Sequence, residues 1–140
     1  MSVTQLSVFI ENIPGRLAAA TRILGQVGVN IRGYSIADTE DYGILRLLVD
    51  KEQLASEVLR ANDFTVHTSE VLLARVPDQP GGLADTLDAL AALEINVEYT
   101  YATAHTLIVF GVNRRADAEK ALQELGIHLF NNKVISAVHR

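Results

Sequence analysis

Apolar positions at the start of the chain switch from the period of a strand to the period of a helix. Between residues 5 and 11 the apolar positions alternate with polar ones, which predicts a β-strand. The apolar positions then recur every three or four residues, at Leu17, Ala20, Leu24 and Val27. This spacing predicts an amphipathic helix with Pro14 in its first turn and its end at Gly28, because these residues suit those two places.

The rest of the first half continues with a hairpin, a helix and a short extended piece. Strands are predicted at residues 29–38 and 44–50, a turn at residues 39–43, a helix at residues 51–62 and the extended piece at residues 64–68. The second half repeats this order. It predicts strands at residues 71–76, 95–102, 106–112 and 134–138, and helices at residues 80–94 and 115–125.

Both halves therefore have the element order β-α-β-β-α-β. This order predicts an α+β protein made of two tandem ferredoxin-like βαββαβ units with antiparallel sheets. A length of 140 residues accommodates two small domains, which we place at residues 1–69 and 70–140.

One segment fits two places in this repeat. Residues 71–76 match the first strand at an offset of 66 and match residues 134–138 at an offset of 63. Either residues 64–68 close the first unit, or strands are shared or exchanged between the units. The sequence leaves both arrangements open.

The third strand of each unit is apolar on both faces. Leu45, Leu47 and Val49 point to one side, whereas Ile44 and Leu48 point to the other, and residues 107–112 show the same pattern. A sheet with two apolar faces needs a cover on both of them. Helices cover one face, so we expect a second sheet on the other face and hence a homodimer.

The strongest internal repeat lies at the first strand–helix turn of each unit. Asn12-Ile13-Pro14-Gly15-Arg16-Leu17 recurs 66 residues later as Asp78-Gln79-Pro80-Gly81-Gly82-Leu83, and Val29-Asn30-Ile31 recurs as Ile95-Asn96-Val97. Each copy places a polar residue, a proline and a glycine where a helix begins. A helix start presents free N–H groups and the positive end of the helix dipole, which suit a small anion such as a carboxylate.

Composition narrows the function classes. The chain has no cysteine, which excludes disulfides, thiolate metal sites and a cysteine nucleophile. Its net charge of −5 without a basic stripe argues against nucleic acid, and its four histidines show no spacing of metal ligands. There is no signal-peptide pattern and no apolar run of about 18 residues, so we expect a soluble cytoplasmic protein without a membrane span.

The repeated turn, the amphipathic helix and the Gly-Val-Asn-Ile start of the second strand resemble the ACT domain family. The resemblance covers the whole chain as two tandem copies, although Glu94 stands where the first copy has Gly28. It implies small ferredoxin-like modules that bind amino acids and regulate metabolic enzymes. It therefore implies an amino-acid ligand, a metabolic enzyme as a possible partner, no catalytic residues, and no metal or other cofactor.

In that family the effector lies at an interface between two modules, between the first strand–helix turn of one and the start of the helix or second strand of the other. Carried over to this chain, the resemblance implies a set of ligand-binding residues: Asn12, Ile13, Pro14, Gly15, Leu17, Asn30, Ile31, Asp78, Pro80, Gly81, Leu83 and Asn96. Some serine-binding members carry a histidine two residues before the turn asparagine. Ile10 and Val76 occupy those positions here, which favours an apolar ligand side chain.

The two copies differ chemically. An asparagine amide donates and accepts hydrogen bonds, whereas an ionised Asp78 only accepts them and repels a carboxylate. We therefore expect Asn12 with Asn30 to form the better site. The structural alternative is that Asn12 and Asp78 cap helices, that the glycines serve turn geometry, and that the second-strand asparagines follow helix ends in a left-handed conformation.

Two other functions compete with amino-acid binding. The chain would fit an interaction subunit that docks on a metabolic enzyme and needs no ligand. A small enzyme is also conceivable, because ferredoxin-like folds support many activities. Acylphosphatase-like catalysis would require an arginine in a glycine-rich loop, and Arg16 stands alone beside Pro14-Gly15. We therefore disfavour the enzyme.

Overall fold

The computed structural model describes residues 1–38 and 41–137. The first half contains β1 (Val3–Glu11), α1 (Arg16–Gln26), β2 (Ile31–Asp38), β3 (Tyr42–Val49), α2 (Glu52–Ala61) and β4 (Thr65–Arg75). The second half contains α3 (Gly82–Ala91), β5 (Val97–Ala102), a 3-10 turn (Ala104–Thr106), β6 (Ile108–Val112), α4 (Arg115–Glu124), β7 (His128–Leu129) and α5 (Asn132–Ala137). The strand pairs are antiparallel, and the predicted α+β class with repeated ferredoxin-like units is confirmed.

The chain forms two compact units. The first unit contains Thr4–Ser69 together with Ile135–Ala137, and the second unit contains Glu70–Val134 together with Met1–Val3. In the second unit, the Met1 ammonium donates to Glu119 Oε1 at 2.8 Å. The domains expected at residues 1–69 and 70–140 stay a prediction.

β4 belongs to both units. It is one continuous strand, whereas the sequence predicted separate pieces at residues 64–68 and 71–76. Its residues up to Ser69 lie in the first unit and those from Glu70 lie in the second. One strand therefore ends the first βαββαβ unit and starts the next, which answers the ambiguity of the repeat.

The first unit buries one face of its sheet under α1 and α2. β1 pairs with β3 in the register Leu6↔Leu47 and Val8↔Leu45, and β3 also pairs with β2. Alternation along each strand places these leucines and valines on one side, where they form a core with α1, α2 and the start of β4: Leu6, Val8, Ile10, Ala20, Leu24, Leu45, Leu47, Leu59 and Val66.

The second unit repeats that arrangement. Leu72 of β4 is paired with Phe110 of β6, as Leu6 is paired with Leu47 in the first unit. β5 pairs with β6, and β7 pairs with β4 through Ala74↔Leu129. The buried core contains Leu72, Ala74, Leu90, Ile95, Phe110, Ala118, Leu122, Ile127 and Leu129.

The predicted last strand at residues 134–138 is wrong. Asn132–Ala137 forms α5, and Val138 lies outside the described residues. The carboxamide oxygen of Asn131 accepts the N–H of Lys133 at 2.9 Å, a side-chain contact that favours a helix start over a strand. The two-residue β7 takes the place of the last strand.

The face opposite the core is only partly open. Leu48 is fully buried within one chain, so its burial does not require a second chain and the homodimer argument loses that support. Phe9 and Tyr42 are still exposed, and they line an apolar hollow of about 340 Å³ with Ala37, Asp38 and Ile44. We call this surface the apolar hollow.

The predicted hairpin turn at residues 39–43 is described only from Asp41, since Thr39 and Glu40 lie outside the described residues. Within the described parts of the chain, no helix is both long and apolar enough to cross a membrane.

Candidate functional site

The two strand–helix turns have the same backbone geometry. Gly15 precedes α1 with φ 89°, and Gly81 precedes α3 with φ 84°. Both values lie in the left-handed region, where a Cβ is unfavourable. This steric restriction explains why each turn has a glycine at that position. The helices thus begin at Arg16 and Gly82, and Pro14 and Pro80 precede them instead of lying in their first turns.

The capping hypothesis for Asn12 and Asp78 is wrong. The residue that precedes each helix is a glycine, and no side chain makes a capping hydrogen bond there. Asn12 and Asp78 lie three residues before these glycines. Neither Asn12 nor Asp78 is therefore the N-cap residue of its helix.

Each helix start leaves backbone donors available. The first intrahelical hydrogen bonds run from Ala19 N–H to the Gly15 carbonyl and from Asp85 N–H to the Gly81 carbonyl, both at 2.9 Å. Among the described residues, no hydrogen-bond acceptor is found for the backbone N–H groups of Leu17, Ala18, Leu83 and Ala84. Such groups, with the helix dipole behind them, attract a carboxylate.

A small pocket lies at the first turn. Its volume is about 120 Å³, and its lining residues are Ile10, Glu11, Asn12, Ile13, Leu17, Ile36, Asp38 and Gly43. The Asn12 N–H donates to the Asp41 carbonyl at 3.0 Å, which holds the β2–β3 hairpin against the turn. We call this cavity the first-turn pocket.

A second pocket lies at the equivalent turn of the second unit. Its volume is about 210 Å³, and its lining residues are Val76, Pro77, Asp78, Gln79, Leu83, Thr106 and Ile108. Thr106 has φ 57°, an uncommon conformation for a β-branched residue. We call this cavity the second-turn pocket.

The two pockets correspond position by position. At the offset of 66, Ile10, Asn12, Ile13 and Leu17 match Val76, Asp78, Gln79 and Leu83. At the offset of 63 that applies to the third strands, Gly43 matches Thr106. The repeat therefore built two related pockets with different linings.

Only part of the predicted site set lines these pockets. Asn12, Ile13 and Leu17 line the first-turn pocket, and Asp78 and Leu83 line the second-turn pocket. The prolines and glycines of the turns, Pro14, Gly15, Pro80 and Gly81, are not lining residues. They shape the backbone that carries the others.

The second-strand asparagines lie at the other end of each first helix. α1 has 11 residues, which corresponds to about 16 Å of helix. Asn30 exchanges hydrogen bonds with Asp50, whose carboxylate accepts the Asn30 N–H at 2.9 Å, and Asn96 is held in the same way by Asn113 at 3.1 Å. Neither asparagine, nor Ile31, lines the pocket of its own unit.

The left-handed interpretation of Asn30 and Asn96 is wrong. Positive φ values occur instead at Gly28 and Glu94, two residues earlier in each unit. The hydrogen bonds to Asp50 and Asn113 give these asparagines a backbone role. Their side-chain amides are not used in those bonds.

The sequence did not single out several lining residues. Asp38 reaches the first-turn pocket because it lies opposite Gly43, which lies opposite Ile10 in the next strand. Glu11 is beside Asn12 at the end of β1, and Thr106 begins the approach to β6. Strand pairing places Asp38 and Glu11, whereas Thr106 is placed by the 3-10 turn that it ends. The hairpin position of Asp38 was the only sequence signal for it.

The lining also changes the expected contrast in charge. Among the described lining residues, the carboxylates are those of Glu11 and Asp38 in the first-turn pocket and that of Asp78 in the second-turn pocket. No lysine or arginine is found among the described residues that line either pocket. A bound carboxylate would therefore meet backbone N–H groups rather than a basic side chain.

Other chemistry finds little support at the described residues. Arg16 lies with its guanidinium carbon 4.3 Å from the centroid of the Phe64 ring and does not line the first-turn pocket. Within residues 1–38 and 41–137, no cluster of three histidine or acidic side chains is placed to hold a metal ion.

Known proteins share the fold and the tandem arrangement of this chain. A family model described as an ACT domain pair matches residues 1–137. The structure of protein BT0572 from Bacteroides thetaiotaomicron is similar, with a TM-score of 0.92 and 30% identity over 99% of this chain and 98% of that chain. Comparison with curated protein sequences finds no match.

Two aspartate kinase structures are also similar. The ligand-free regulatory subunit of aspartate kinase from Thermus thermophilus has a TM-score of 0.66 and 20% identity, over 88% of this chain and 89% of that chain. Aspartokinase III of E. coli in complex with lysine and aspartate has a TM-score of 0.55 and 20% identity, over 89% of this chain and 30% of that chain. At these identities the likeness shows the fold alone.

Proposed function

This chain belongs to the ACT domain pair family, and we propose that it is a regulatory protein that binds a free amino acid at its two turn pockets. The resemblance to the ACT family that the repeated turn indicated is confirmed. An ACT domain pair is a regulatory module, and we propose that this chain has no catalytic activity of its own and acts in the cytoplasm.

The observation that carries the proposal is the combination of three chemical features at each turn. Leu17 and Ala18, like Leu83 and Ala84, present unpaired backbone N–H groups to a carboxylate. Carboxylates that line the pockets suit an ammonium group. Half-exposed leucines, Leu17 and Leu83, provide apolar surface for a side chain. These three features match the three parts of an amino acid.

The charges of the pockets favour a zwitterion over a simple anion. Glu11 and Asp38 in the first-turn pocket repel a ligand that carries only negative charge. An α-ammonium group removes that repulsion, while the helix start still attracts the carboxylate. The same reasoning applies at Asp78 in the second-turn pocket.

We further propose that each pocket is half of a site and that a neighbouring module supplies the second-strand residues, Asn30 with Ile31 or Asn96. The amides of Asn30 and Asn96 suit this role because their hydrogen bonds to Asp50 and Asn113 use only the backbone. Asn12 with Asn30 remains the preferred pair, since an amide at the turn donates as well as accepts.

A homodimer would bring a neighbouring module to the first turn. Asp38 lines both the first-turn pocket and the apolar hollow, so a second copy on the hollow would lie beside the pocket. Analytical ultracentrifugation should give a dimer, and Tyr42→Glu should shift it toward monomer because it places a charge in the hollow. A wild-type monomer at all concentrations would contradict this part of the proposal.

The direct test is a thermal-shift panel of the twenty amino acids. A ligand at about 100 times its dissociation constant should stabilise the protein by roughly 2.7 kcal/mol, which is a readily measured rise in Tm. D-enantiomers of the active compounds serve as matched controls. The absence of any rise at millimolar concentration would contradict amino-acid binding.

The apolar hollow also favours the second candidate, an interaction subunit that docks on a metabolic enzyme. Its exposed aromatic residues, Phe9 and Tyr42, are typical of protein interfaces. Copurification with a larger enzyme whose activity does not respond to any amino acid would select this candidate. A response that requires an amino acid would select the first.

A further inference from the structure

We infer that the two turn pockets select different classes of amino acid. The first-turn pocket takes an aliphatic side chain, and the second-turn pocket takes a neutral polar side chain with an amide or hydroxyl group. This inference rests on the proposed function, because it assumes that both pockets bind amino acids. It concerns the residues in which the two copies have diverged.

The first difference is the residue after the turn position. Ile13 lines the first-turn pocket and is 53% exposed, so its side chain is available to a ligand. The matching residue in the second-turn pocket is Gln79, whose amide both donates and accepts hydrogen bonds. At this one position an apolar side chain in the first-turn pocket is replaced by a hydrogen-bonding side chain in the second, whose other lining residues include Val76, Leu83 and Ile108.

The second difference is at the start of the third strand. Gly43 brings no side chain to the first-turn pocket, whereas Thr106 brings a hydroxyl and a methyl group to the second. Thr106 holds φ 57°, a conformation that a β-branched residue adopts at a cost. A glycine would relieve that strain, which makes Thr106→Gly a direct test of what the side chain contributes.

Volume and charge limit the class of ligand side chain that the second-turn pocket can take. Its volume of about 210 Å³ exceeds the first-turn pocket's 120 Å³, which leaves room for polar groups around a ligand side chain. Asp78 supplies the one carboxylate among its described lining residues, and the α-ammonium group of a ligand would pair with it. A cationic side chain would then lack a counter-charge, and an acidic one would meet no basic residue.

Away from its turn, the first-turn pocket differs from the second at two matched positions, where Ile13 and Gly43 stand in place of Gln79 and Thr106. Ile10, Ile13, Leu17 and Ile36 form an apolar wall, and three of them are exposed enough to touch a ligand. Its polar lining residues, Glu11, Asn12 and Asp38, suit the ammonium group. An amide side chain against this wall would lose its hydrogen bonds to water without replacement.

Leucine and asparagine test this inference because they have nearly the same shape. We would titrate the ¹⁵N-labelled full chain with each of them and follow the backbone amides at the two helix starts, Leu17 and Ala18 against Leu83 and Ala84. The second-turn amides should respond to asparagine at a concentration at least tenfold lower than to leucine. The first-turn amides should show the reverse order.

Substitutions then assign the preference to side chains. Gln79→Ile should reduce the asparagine preference at the second turn at least threefold, and Ile13→Gln should reduce the leucine preference at the first. The matched control is Gln53→Ile, an exposed residue of α2 outside both pockets, which should change neither. Threonine and valine provide a second pair of equal shape for the same comparison.

Substitutions of Thr106 distinguish a role of its side chain in binding from a role in stability. Thr106→Gly should raise Tm by relieving strain, yet weaken asparagine binding at the second turn. Thr106→Val keeps the shape and should also weaken it, whereas Thr106→Ser should preserve it. A glycine variant with higher Tm and unchanged binding would contradict the role of Thr106.

The outcomes separate this inference from the proposed function. If no amino acid shifts any amide, the proposed function fails and the inference fails with it. If amino acids bind but both turns rank asparagine and leucine alike, the proposed function stands and the inference is overturned. Opposite rankings at the two turns, changed by Gln79→Ile and Ile13→Gln, support the inference.

Discussion

The two strand–helix turns share a backbone but not a lining. Gly15 and Gly81 differ by only 5° in φ (89° and 84°), and the helix that follows each of them starts with free N–H groups. The pockets nevertheless differ in volume and at matched lining positions, where Ile13 and Gly43 of the first correspond to Gln79 and Thr106 of the second. The steric requirement at the glycines thus keeps the backbone that would position a carboxylate alike in the two turns, while the residues that would meet a ligand side chain differ.

The residues just inside the helices also diverged. Arg16 begins α1 and stacks its guanidinium on Phe64, whereas Gly82 begins α3 and is buried. A Cβ at Gly82 would overlap the backbone carbonyl of Pro77. The second turn is therefore packed more tightly against its own strand end than the first.

The largest effect is expected from Gly82→Ala. Because the added Cβ would meet backbone rather than a flexible side chain, the turn must shift, and we expect a loss of about 3 kcal/mol in the free energy of unfolding. Arg16→Ala at the matching position should lose only about 1 kcal/mol, the size of a cation–π contact. Urea denaturation measures both, and equal losses would break the comparison of the two turns.

The next effect tests what the turns share. Gly15→Ala and Gly81→Ala should each lose roughly 1–2 kcal/mol of unfolding free energy, because an L-residue is disfavoured at these φ values. Neither added Cβ meets another atom within 4 Å, so backbone strain is the only expected cause of the loss in unfolding free energy. Gly25→Ala in α1, also in open space but without a positive φ, is the control and should be neutral or stabilising. A difference above about 1 kcal/mol between the two turn variants would show that their backbones are not equivalent.

A smaller effect concerns the ligand. Leu17→Ala and Leu83→Ala should each weaken amino-acid binding at their own turn about fivefold, since each removes apolar surface that lines only one pocket. Both leucines are half-exposed, so unfolding free energy should fall by less than about 1 kcal/mol. Site-resolved NMR titration checks the assignment. Loss of binding at both turns from one substitution would mean that the pockets do not act separately.

The smallest effect concerns the helix ends. Glu94 holds φ 57° where the first copy has Gly28 at φ 78°. Gly28→Glu should therefore lose about 1 kcal/mol of unfolding free energy, and Glu94→Gly should gain up to about 0.5 kcal/mol after the entropy of the added glycine. Thermal and urea denaturation of the two variants give the sign. A loss in both would show that Glu94 makes a stabilising contact.

Much of the fold follows from local pattern. The alternation around Leu6 and the helical spacing around Leu24 predicted elements that the structure contains, because one-sided burial imposes those periods. The pattern failed at residues 134–138, where Asn131 starts a helix through its side chain. It also divided β4 in two, because no local sequence pattern indicates that one strand is shared by two units.

Less of the candidate site was predictable. The sequence pointed to Asn12 and Asp78, which line the pockets, but not to Asp38 or Thr106. Asp38 enters the first-turn pocket through two successive strand pairings, from β2 to β3 and from β3 to β1. The register between segments that are distant in the chain decides such contacts. The spacing of residues along the chain does not reveal that register.

The sequence by itself determined the repeat, the order of elements and the glycine at each turn, because these depend on periodicity and on the steric freedom of single residues. Only the tertiary structure decided that β4 belongs to both units, that β7 replaces the predicted last strand, and which side chains line each pocket. Those features depend on pairing between residues far apart in the chain, where packing and hydrogen bonding outweigh local preference.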